Sequence, residues 1–573
     1  MNNAFVGIDL GTTNTTCTVC HVSENHHMEI DHIPIRQLTN LSKEAVPSFS
    51  DQTFLPSVVW CFDSNNFFSG SLCKDIGADV LDFPDSTIIR SIKREMANRS
   101  WRFEMNSVDY YPVHISALIL KTVYRSLLRK YDEAVIKSVA ITIPASFSSK
   151  MRHATLQAAE LAGIDPSKTV LIDEPVAALF SNWDPVSAQF ENINENGNYL
   201  VYDMGGGTLD VSLLNINLDK KVVTIESTSR YNEVAGDDID LEIAALILHK
   251  TRNSERYNQF LEMSDAPHDL KKNRALGIGL IELAEALKID LSEELEKGLR
   301  SSLEFVLEEY RNKKTELRVL LSDEFGAEII PETINLDVGE ILTVIAPFLK
   351  PSNEHNKRSI FVPIKQAIER TDIKPNEILK VMIAGGSSYF PSVVDVLTSF
   401  FLKEPVRLNP ITAVSQGAAV MSYFNSTKRW RISEMIQDSL FLKRKGHPFM
   451  EVFSACPIPT KKIEKIFDEE DCPYVTYGGR EICLEFFQGS DSHDPLMSFA
   501  HIEYLEMERE LEKNGRLVEI SGSINTNKIY HFELIFQDDR GFLKEKVSFK
   551  ATSNTVDNPK SFPANLKLNG EFL

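Results

Sequence analysis

Two segments of the chain, about 190 residues apart, share one pattern of residues. Each has an apolar run, a turn with an aspartate two residues before glycine, hydroxyl side chains, and a second apolar run. The first turn is DLGTT, beginning at Asp9, and the second is DMGGGT, beginning at Asp203. Short apolar runs bounded by glycine are typical of buried strands, so each segment predicts a strand–turn–strand hairpin. A unit used twice at this spacing indicates two related lobes.

A third apolar run also ends in glycine, and the stretches between these turns have helical composition. The run LKVMIA (379–384) leads into Gly385, Gly386 and Ser387. Strands that alternate with helices over residues 1–425 predict an α/β fold. The predicted helices are 149–164, ending at Gly163, one with Pro175 in its first turn, 275–291, and one after Pro391.

Helical periodicity fades near residue 425. Residues 449–550 contain short β-rich runs, and two of them, 517–524 and 529–536, are joined by the turn sequence NTNK (525–528). We therefore predict a separate β domain. The predicted division is 1–425 for the α/β domain, with 293–330 as a surface insertion, 426–440 for a polar linker, 441–555 for the β domain and 556–573 for a polar tail.

Charge and cysteine content restrict the classes of function. The chain has 573 residues and a formal net charge of −21, which argues against binding of nucleic acid or anionic membranes, because both attract clustered Lys and Arg. No run approaches the roughly 18 apolar residues of a membrane span, and we expect no secretory signal. Seven scattered cysteines suit a reducing compartment, so we expect a cytoplasmic protein. Cys17 and Cys20 form a C-x-x-C pattern in a strand-like stretch, which favours ordinary strand residues over a metal or redox site.

The glycine-rich turns have the chemistry that a polyphosphate requires. They offer close backbone approach, free N–H groups and hydroxyl donors. Aspartates at the strand ends can hold Mg²⁺ through its waters, because Mg²⁺ gives up its hydration reluctantly. Two such loops facing each other would grip the phosphates of a nucleotide from both sides.

Nine motifs make the chain similar to the 70-kilodalton heat-shock chaperone family, within the wider group of actin-like ATPases and sugar kinases. They span essentially all of residues 4–425. The motifs are GIDLGTTNT (7–15), SIKRE (91–95), AITIPASF (140–147), LAGIDPSKTVLIDEPVAAL (161–179), VYDMGGGTLDVSLL (201–214), AGDDID (235–240), EALKIDLS (285–292), IAGGSS (383–388) and NPITAVSQGAA (409–419).

The resemblance implies a two-lobed, actin-like ATPase of ribonuclease H-like repeats, with ATP or ADP, Mg²⁺ and K⁺ in the cleft between the lobes. By position it implies metal contacts for Asp9 and Asp203, largely through water, and for Glu174 and Asp210. The catalytic residues that it implies are Lys93, Glu174, Asp203, Thr208 and Asp210. The nucleotide contacts that it implies are Asp9, Gly11, Thr12, Thr13, Gly205, Gly206, Gly207, Thr208, Gly236, Glu285, Lys288, Ser292, Gly385, Gly386, Ser387 and Tyr389.

These roles agree with the chemistry of the side chains. Hydrolysis needs a water held in line with the γ-phosphate and neutralisation of the charge that develops as the bond breaks. Lys93 can hold the attacking water or γ-phosphate oxygens, and Thr208 can donate to the γ-phosphate. Without its matched motif, Lys93 would be read as a solvated helix lysine, and Glu174 as a carboxylate at a helix N-terminus.

The β domain is similar to the peptide-binding β-sandwich of the same family. Its anchors are the segments 456–467, 481–489 and 517–535. An extended peptide is held by backbone hydrogen bonds and one or two buried side chains, so its pocket should be apolar. The resemblance gives three pocket positions, and ordinary core positions are the alternative: Phe467, Ile482 and Leu484.

Two departures from the family pattern concern the β domain. We recognise no helical lid after residue 550, which predicts fast exchange of bound peptides. The apolar, leucine-rich linker of the family is replaced by the polar segment TKRWRISEMIQDS (427–439), which argues against coupling between the domains.

Two further departures lie in the first domain. Val170 stands where the family has an arginine that J-domain co-chaperones contact, so J-domain proteins and nucleotide-exchange factors stay open as partners. Around the adenine, Tyr389 and Ile411 replace arginine and aspartate, and isoleucine stands at the clamp position 289. Tyr389 can still stack on a base, yet adenine preference should be weaker.

Two functions stay open on the sequence. One is a divergent, lidless, chaperone-like ATPase that turns over slowly and binds unfolded or extended peptides. The other is a nucleotide-binding regulator of the exchange-factor type, with little turnover, which the altered linker and missing lid favour. The β domain and the absence of a recognisable sugar-site aspartate argue against a small-molecule kinase, and the two-domain layout gives little support to an actin-like filament protein.

Overall fold

The structure is a computed structural model. It describes residues 3–572 with gaps, the longest of which are 41–47, 76–85, 253–279, 293–313, 319–332, 351–357, 468–478 and 549–561. Much of the predicted helix 275–291 and most of the predicted insertion 293–330 therefore lie outside the described residues. In the part of the chain that is described, none of the helices combines the length and apolar character of a membrane span.

The first 190 residues contain fifteen described strands and four described helices. The strands are β1 (Asn3–Leu10), β2 (Asn14–Val22), β3 (Met28–His32), β4 (Ile35–Asn40), β5 (Ser48–Gln52), β6 (Phe54–Pro56), β7 (Val59–Cys61), β8 (Asn66–Ser69), β9 (Thr87–Ile89), β10 (Phe103–Met105), β11 (Val108–Tyr110), β12 (Ile136–Ile143), β13 (Thr169–Asp173), β14 (Trp183–Asp184) and β15 (Gln189–Phe190). The helices are α1 (Ser71–Asp75), α2 (Pro112–Lys130), α3 (Ser149–Leu161) and α4 (Glu174–Phe180), with a 3₁₀ helix at Ile92–Glu95.

The next part of the chain, to residue 427, repeats this mixture. Its strands are β16 (Gly197–Met204), β17 (Leu209–Asn217), β18 (Val222–Thr228), β19 (Lys314–Arg318), β20 (Thr333–Asp337), β21 (Ile378–Ala384) and β22 (Val406–Arg407). Its helices are α5 (Gly236–Arg252), α6 (Val338–Leu349), α7 (Phe361–Glu369), α8 (Pro391–Phe401) and α9 (Ala413–Thr427), with 3₁₀ helices at Pro375–Glu377 and Gly386–Tyr389.

Two mixed sheets share one strand order. Sheet A is β13-β12-β1-β2-β3, with β6 also on β2, and sheet B contains the order β22-β21-β16-β17-β18. In both sheets the first hairpin strand pairs antiparallel with the second and parallel with a strand that follows later in the chain. Both predicted hairpins are therefore confirmed.

The predicted helix boundaries are confirmed where the structure describes them. The helix α3 ends at Leu161, and Gly163 follows with φ +90°, a conformation that glycine adopts without strain. Pro175 lies in the first turn of α4, and α8 begins at Pro391, where the missing N–H of proline has no cost. Cys17 and Cys20 are buried, free thiols in β2, as the strand interpretation predicts.

The helix α9 packs closely on sheet A and on α4 because glycine stands at both contacts. A Cβ atom at Gly7 would lie 2.1 Å from the carbonyl oxygen of Ser415, and one at Gly417 would lie 1.6 Å from that of Ala177. Any larger residue would push the backbones apart. The close approach fixes the start of α9 beside the turn of the first hairpin.

The predicted polar linker is a strand in the structure. β23 (Arg431–Ile436) extends sheet B by pairing in parallel with β18, and the N–H of Arg431 donates to the carbonyl of Lys221 over 2.9 Å. Trp430, 6% exposed, packs edge-on against Phe180. Backbone pairing does not depend on apolar side chains, so a polar segment docks here with one tryptophan as its anchor. The polar composition of this segment therefore does not prevent its docking on sheet B, and the expectation about coupling between the domains stays a prediction.

The β domain consists of two four-stranded sheets around one core. Sheet C has the order β25-β24-β28-β29 and sheet D the order β27-β30-β31-β32, after a short strand β26 that pairs with β23. The predicted turn at 525–528 joins β30 to β31, as expected. The bounds are β24 (Ser439–Leu442), β25 (Met450–Phe453), β26 (Cys456–Ile458), β27 (Thr460–Ile466), β28 (Gly479–Gly489), β29 (Ser498–Leu511), β30 (Arg516–Ile524), β31 (Tyr530–Asp538) and β32 (Gly541–Ser548).

The described part of the predicted polar tail is ordered in two short strands. It forms β33 (Lys567–Leu568) and β34 (Glu571–Phe572), which join a further sheet, sheet E, of order β34-β33-β8-β7-β9. Leu566 and Leu568 are 1% and 0% exposed in the core beside sheet A. Two leucines at alternate positions are enough to bury one face of a short strand, although the surrounding residues are polar.

Candidate nucleotide site

The turns of the two hairpins face each other. A Cβ atom at Gly206 would lie 2.0 Å from Thr13 Oγ1, and one at Gly207 would lie 2.3 Å from Thr12 Cγ2. The second turn is held by the start of α5, because the N–H of Asp237 donates to the carbonyl of Gly206 over 2.7 Å. The backbone of the second turn therefore lies against the side chains of Thr12 and Thr13, and the lack of a Cβ atom at Gly206 and Gly207 makes this contact possible.

Strand register brings the carboxylates to the same end of each sheet. In sheet A, Asp9 stands beside Thr142 of β12, and in sheet B, Asp203 stands opposite Asp210. The Thr142 hydroxyl donates to Asp9 Oδ1 over 2.8 Å, and the Ser146 hydroxyl donates to Asp210 Oδ1 over 2.5 Å. Ligand sites of α/β sheets lie at such carboxyl strand ends.

A buried ion pair joins two distant segments within this cleft. The Lys93 ammonium lies 2.5 Å from Glu174 Oε1, and both residues are less than 8% exposed. Lys93 comes from the 3₁₀ helix that follows Ser91, a residue with φ +52°, and Glu174 is the first residue of α4. Burial would lower the pKa of Lys93, but Glu174 and Asp9 outweigh it and raise that pKa, so the ammonium stays charged.

One ammonium faces four carboxylates here. Burial raises the pKa of Glu174 and of Asp203, and the negative neighbours Asp9 and Asp210 raise both further, while Lys93 lowers them. Burial likewise raises the pKa of Asp210 to about 6. In the described part of the chain, Asp210 Oδ2 has no hydrogen-bond partner. Among the described residues no three carboxylates, His or Cys are grouped to ligate a metal ion directly, so these hard oxygen donors suit a divalent cation only through its waters.

The raised pKa of Asp210 predicts how stability depends on pH. The folded protein holds the proton of Asp210 up to about pH 6, whereas an aspartate ordinarily releases it near 3.8. Without nucleotide and divalent cations, the free energy of unfolding should therefore fall as pH rises from 4 to 6, by about 3 kcal/mol for this group. Denaturant titrations of Asp210→Asn should show a shallower fall. The exposed Asp539→Asn should retain the slope of the unmodified chain, and equal slopes for all three proteins would contradict the assignment.

The predicted nucleoside contacts lie on the side of sheet B. A Cβ atom at Gly236 would lie 2.1 Å from Ser387 Oγ, and Gly385 has φ +75° beside Asp203. Lys288 is 9% exposed and bonds inward, to the carbonyl of Gly236 over 3.3 Å and to Asp240 over 2.8 Å. These glycines let the backbone approach a flat ligand.

Three further predicted nucleoside residues, and also Ile411, have the following surroundings. Tyr389 is partly buried, and its ring centroid lies 6.0 Å from the guanidinium of Arg407. Glu285 acts electrostatically on Asp240, and Ser292 lies one helical turn after Lys288. Ile411 lines the cleft and is 44% exposed.

Twelve predicted residues line the cleft together: Asp9, Gly11, Thr12, Thr13, Lys93, Glu174, Asp203, Gly205, Gly206, Thr208, Gly385 and Gly386. Sequence reasoning missed Asn14, Thr16, Asn409, Pro410 and Val414, which also line it. It also missed Arg94, whose guanidinium donates to the carbonyl of Gly206 over 3.2 Å. Asn14 and Thr16 follow the first turn directly, and 409–419 was a recognised motif, so proximity in sequence was the available signal.

The β domain touches the strand that leads to Glu174. The ammonium of Lys528, in the turn between β30 and β31, lies 2.6 Å from Asp173 Oδ2, and Arg152 lies 2.8 Å from Oδ1. The Ser149 hydroxyl donates to the carbonyl of Lys528 over 2.8 Å. Burial would raise the pKa of Asp173, but the two cations outweigh it and lower that pKa. This interdomain ion pair had no signal in the sequence, where a turn lysine is ordinarily solvated.

Two of the three predicted peptide-pocket residues have described side chains. Phe467 and Leu484 are 6% and 1% exposed and belong to the core of the β domain, and Phe467 also lines a groove together with Val518 and Phe542. The peptide-pocket assignment stays a prediction. The side chain of Ile482 lies outside the described residues. The strand alternation turns the neighbouring Ile466 outward, and it is 67% exposed.

The chain contains two α/β sheets of the same strand order. Both sheets present a glycine-rich turn to one cleft that is lined by carboxylates. These features define the class of α/β proteins that use one sheet topology twice. The family model described as "Hsp70 protein" matches residues 83–325 and 353–467, which is more than half of the chain. The chain belongs to the Hsp70 family.

Curated relatives support this assignment. The "Chaperone protein DnaK" of Thermosipho melanesiensis is 28% identical over 493 residues, which cover 84% of this chain and 70% of that protein. Proteins of the same name from Thermotoga petrophila and Thermotoga maritima are 27% identical over 418 residues, 73% of this chain and 59% of theirs. The match therefore spans 70% of the length of the first relative and 59% of the length of the other two.

Proposed function

We propose that the chain binds ATP or ADP in the cleft between sheets A and B and hydrolyses ATP slowly to ADP and phosphate. In this proposal the two sheets are the centres of two actin-like lobes. The observation that carries it is the buried pair of Lys93 and Glu174, placed between the facing turns and beside Asp9 and Asp203. A charged lysine held among buried carboxylates can stabilise the negative charge that develops in a transition state, which favours hydrolysis over binding alone.

Each residue has a distinct role in this proposal. The N–H groups and hydroxyls of the two turns bind the phosphates, with Thr13 on one side and Thr208 on the other. Lys93 orients the attacking water and supplies positive charge where the transition state develops negative charge. Glu174 keeps Lys93 in place, and Asp210 accepts from the water that is being activated.

The donor set fits Mg²⁺, and K⁺ is the expected companion cation. Asp9 and Asp203 would hold Mg²⁺ largely through water, with Glu174 and Asp210 contacting that water shell. When bound, Mg²⁺ supplies neutralisation of the phosphate charge. Asp210 Oδ2, which has no hydrogen-bond partner among the described residues, is the oxygen that can accept a hydrogen bond from the waters around Mg²⁺.

We further propose that the β domain binds extended apolar peptides and that nucleotide state controls this binding. The docking of β23 on sheet B and the ion pair between Lys528 and Asp173 support it, because both join the β domain to elements of the cleft. J-domain proteins stay open as partners. Val170, at the position of the family's arginine, lies in β13 next to Leu171, whose N–H faces Asn527 of the β domain over 3.4 Å.

Two measurements on the unmodified chain test the proposal. Calorimetry with Mg²⁺ should detect ATP binding, and single-turnover assays should then detect release of phosphate. Affinity for a fluorescent apolar peptide should differ between ATP and ADP. Binding without phosphate release would leave only the regulator function. Equal peptide affinity in both nucleotides would contradict the coupling, and absence of ATP binding would contradict the whole proposal.

A further inference from the structure

The edge of β8 is filled by a hairpin from the last described residues. β33 pairs in parallel with β8, and β34 folds back on β33. The N–H of Lys567 donates to the carbonyl of Asn65 over 2.5 Å, and the N–H of Asn569 donates to that of Phe67 over 2.8 Å. Without these bonds β8 would present an unpaired sheet edge, which readily accepts another strand.

Side chains give this contact its specificity. Leu566 and Leu568, two residues apart, enter the apolar core, and Phe562 packs against the same core. The side chain of Asn569 accepts from the N–H of Ser69 over 2.9 Å. Main-chain pairing combined with pockets for alternate side chains is the way in which sheet edges recognise extended peptides.

Charge complementarity adds to the contact on the solvent side. Arg125 and Arg129, both on α2, lie 3.4 and 3.3 Å from the carboxylate of Glu571. Arg125 also donates to the carbonyl of Leu568 over 3.4 Å. Two arginines on one face of α2 therefore border the strand edge.

The hairpin is a self-contained unit on a long connection. Asn569 and Gly570 have φ +53° and +83°, the values of a type I′ turn, and Asn-Gly is the preferred sequence for it. Thirteen residues (549–561) separate the end of β32 from Phe562, which packs on the same core as the hairpin. At about 3.3–3.6 Å per residue they span up to about 47 Å. The hairpin can therefore leave and return while the rest of the fold stays intact.

We propose that the edge of β8, bordered by Arg125 and Arg129, is a docking site for an extended leucine-containing hairpin. Its ligand is the chain's own segment Leu566–Phe572, which tethers the far end of the β domain to sheet E. The near end is already held by β23. Attachment at both ends keeps the β domain at high effective concentration near Asp173, so each undocking is followed by redocking.

The test uses the full chain with Leu566 and Leu568 both changed to Asp, and a labelled synthetic peptide of residues 562–573. The changes should release the hairpin, and the site should then bind the peptide at least tenfold more tightly than in the unmodified chain. A control chain with Leu402→Asp, at a leucine that is 87% exposed, should behave like the unmodified chain. Hydrogen exchange of the turn 525–529 should become at least tenfold faster in the double variant alone.

Each other outcome overturns the proposal. A folded double variant that binds no more peptide than the control has no docking site at this edge. A double variant that fails to fold shows that the hairpin is an integral part of the core. Unchanged exchange in the turn 525–529 contradicts the tether, and dimers of the unmodified chain that dissociate in the double variant would assign the ligand to a second copy. None of these results requires nucleotide, so they are independent of the proposed hydrolysis.

Discussion

Replacement of Lys93 by Ala should slow the release of phosphate in a single turnover by at least about 10²–10³-fold, the usual cost of removing one hydrogen-bond donor aimed at a transition state. The reason lies in the surroundings of the ammonium. It is the cation that the described residues place among Asp9, Glu174, Asp203 and Asp210, and its charge acts on all four. ATP affinity should change only a few-fold, because the turns and Mg²⁺ bind most of the phosphate charge.

Two comparison variants make this result specific. Lys137→Ala removes an exposed lysine from β12 of the same sheet and should leave phosphate release unchanged. Glu174→Gln retains a hydrogen-bond acceptor for Lys93 but removes its counter-charge, so it should slow the reaction less than Lys93→Ala does. Circular dichroism should show that all three proteins are folded. A Lys93→Ala protein that releases phosphate at the original rate would remove Lys93 from the mechanism.

Replacement of Lys528 by Asp should separate the β domain from sheet A. The change puts a second carboxylate next to Asp173, which is 1% exposed and would keep Arg152 as a counter-charge. Breaking a buried pair of this kind costs about 3–5 kcal/mol, which corresponds to a shift of more than 100-fold in the docking equilibrium. Small-angle scattering should show an increased radius of gyration, and the turn 525–529 should exchange faster.

The backbone at this turn strengthens the argument for a functional contact. Lys528 has φ +58°, a region in which residues other than glycine are strained. A lysine retained there at a local cost is consistent with a gain from its ion pair. Lys528→Gly should therefore relieve the strain and still weaken docking, which separates the two effects.

Lys544→Asp is the matched control for this experiment. Lys544 lies in β32 of the same sheet, is 63% exposed at its side chain and pairs with Glu533 over 3.3 Å at the surface. Because exposed pairs contribute little, the control should stay docked. A double-mutant cycle of Lys528→Met with Asp173→Asn should give a coupling energy that favours docking of the β domain on sheet A. A Lys528→Asp protein that stays as compact as the control would contradict the interdomain ion pair.

Some features missed from the sequence had a readable signal, and others did not. The Asn-Gly pair at 569–570 is a strong hairpin signal, but the polar surroundings of Leu566 and Leu568 hid it. The ion pair between Lys528 and Asp173 joins residues 355 positions apart, and neither residue type favours it locally. The burial of Trp430 likewise could not be predicted, since an aromatic residue in a polar linker can be exposed or buried.

The sequence by itself determined the two glycine-rich hairpins, the helices that end at Gly163 and begin at Pro175, and the residues of the facing turns. These features depend on periodicity and turn chemistry, which act over a few residues and are therefore written locally. Only the tertiary structure decided that Lys93 meets Glu174, that the polar linker adds a strand to sheet B, and that Leu566–Phe572 returns to β8. Such contacts depend on which distant surfaces the strand order brings together. Burial then makes them specific, because a buried charge needs a counter-charge and a buried leucine needs an apolar pocket.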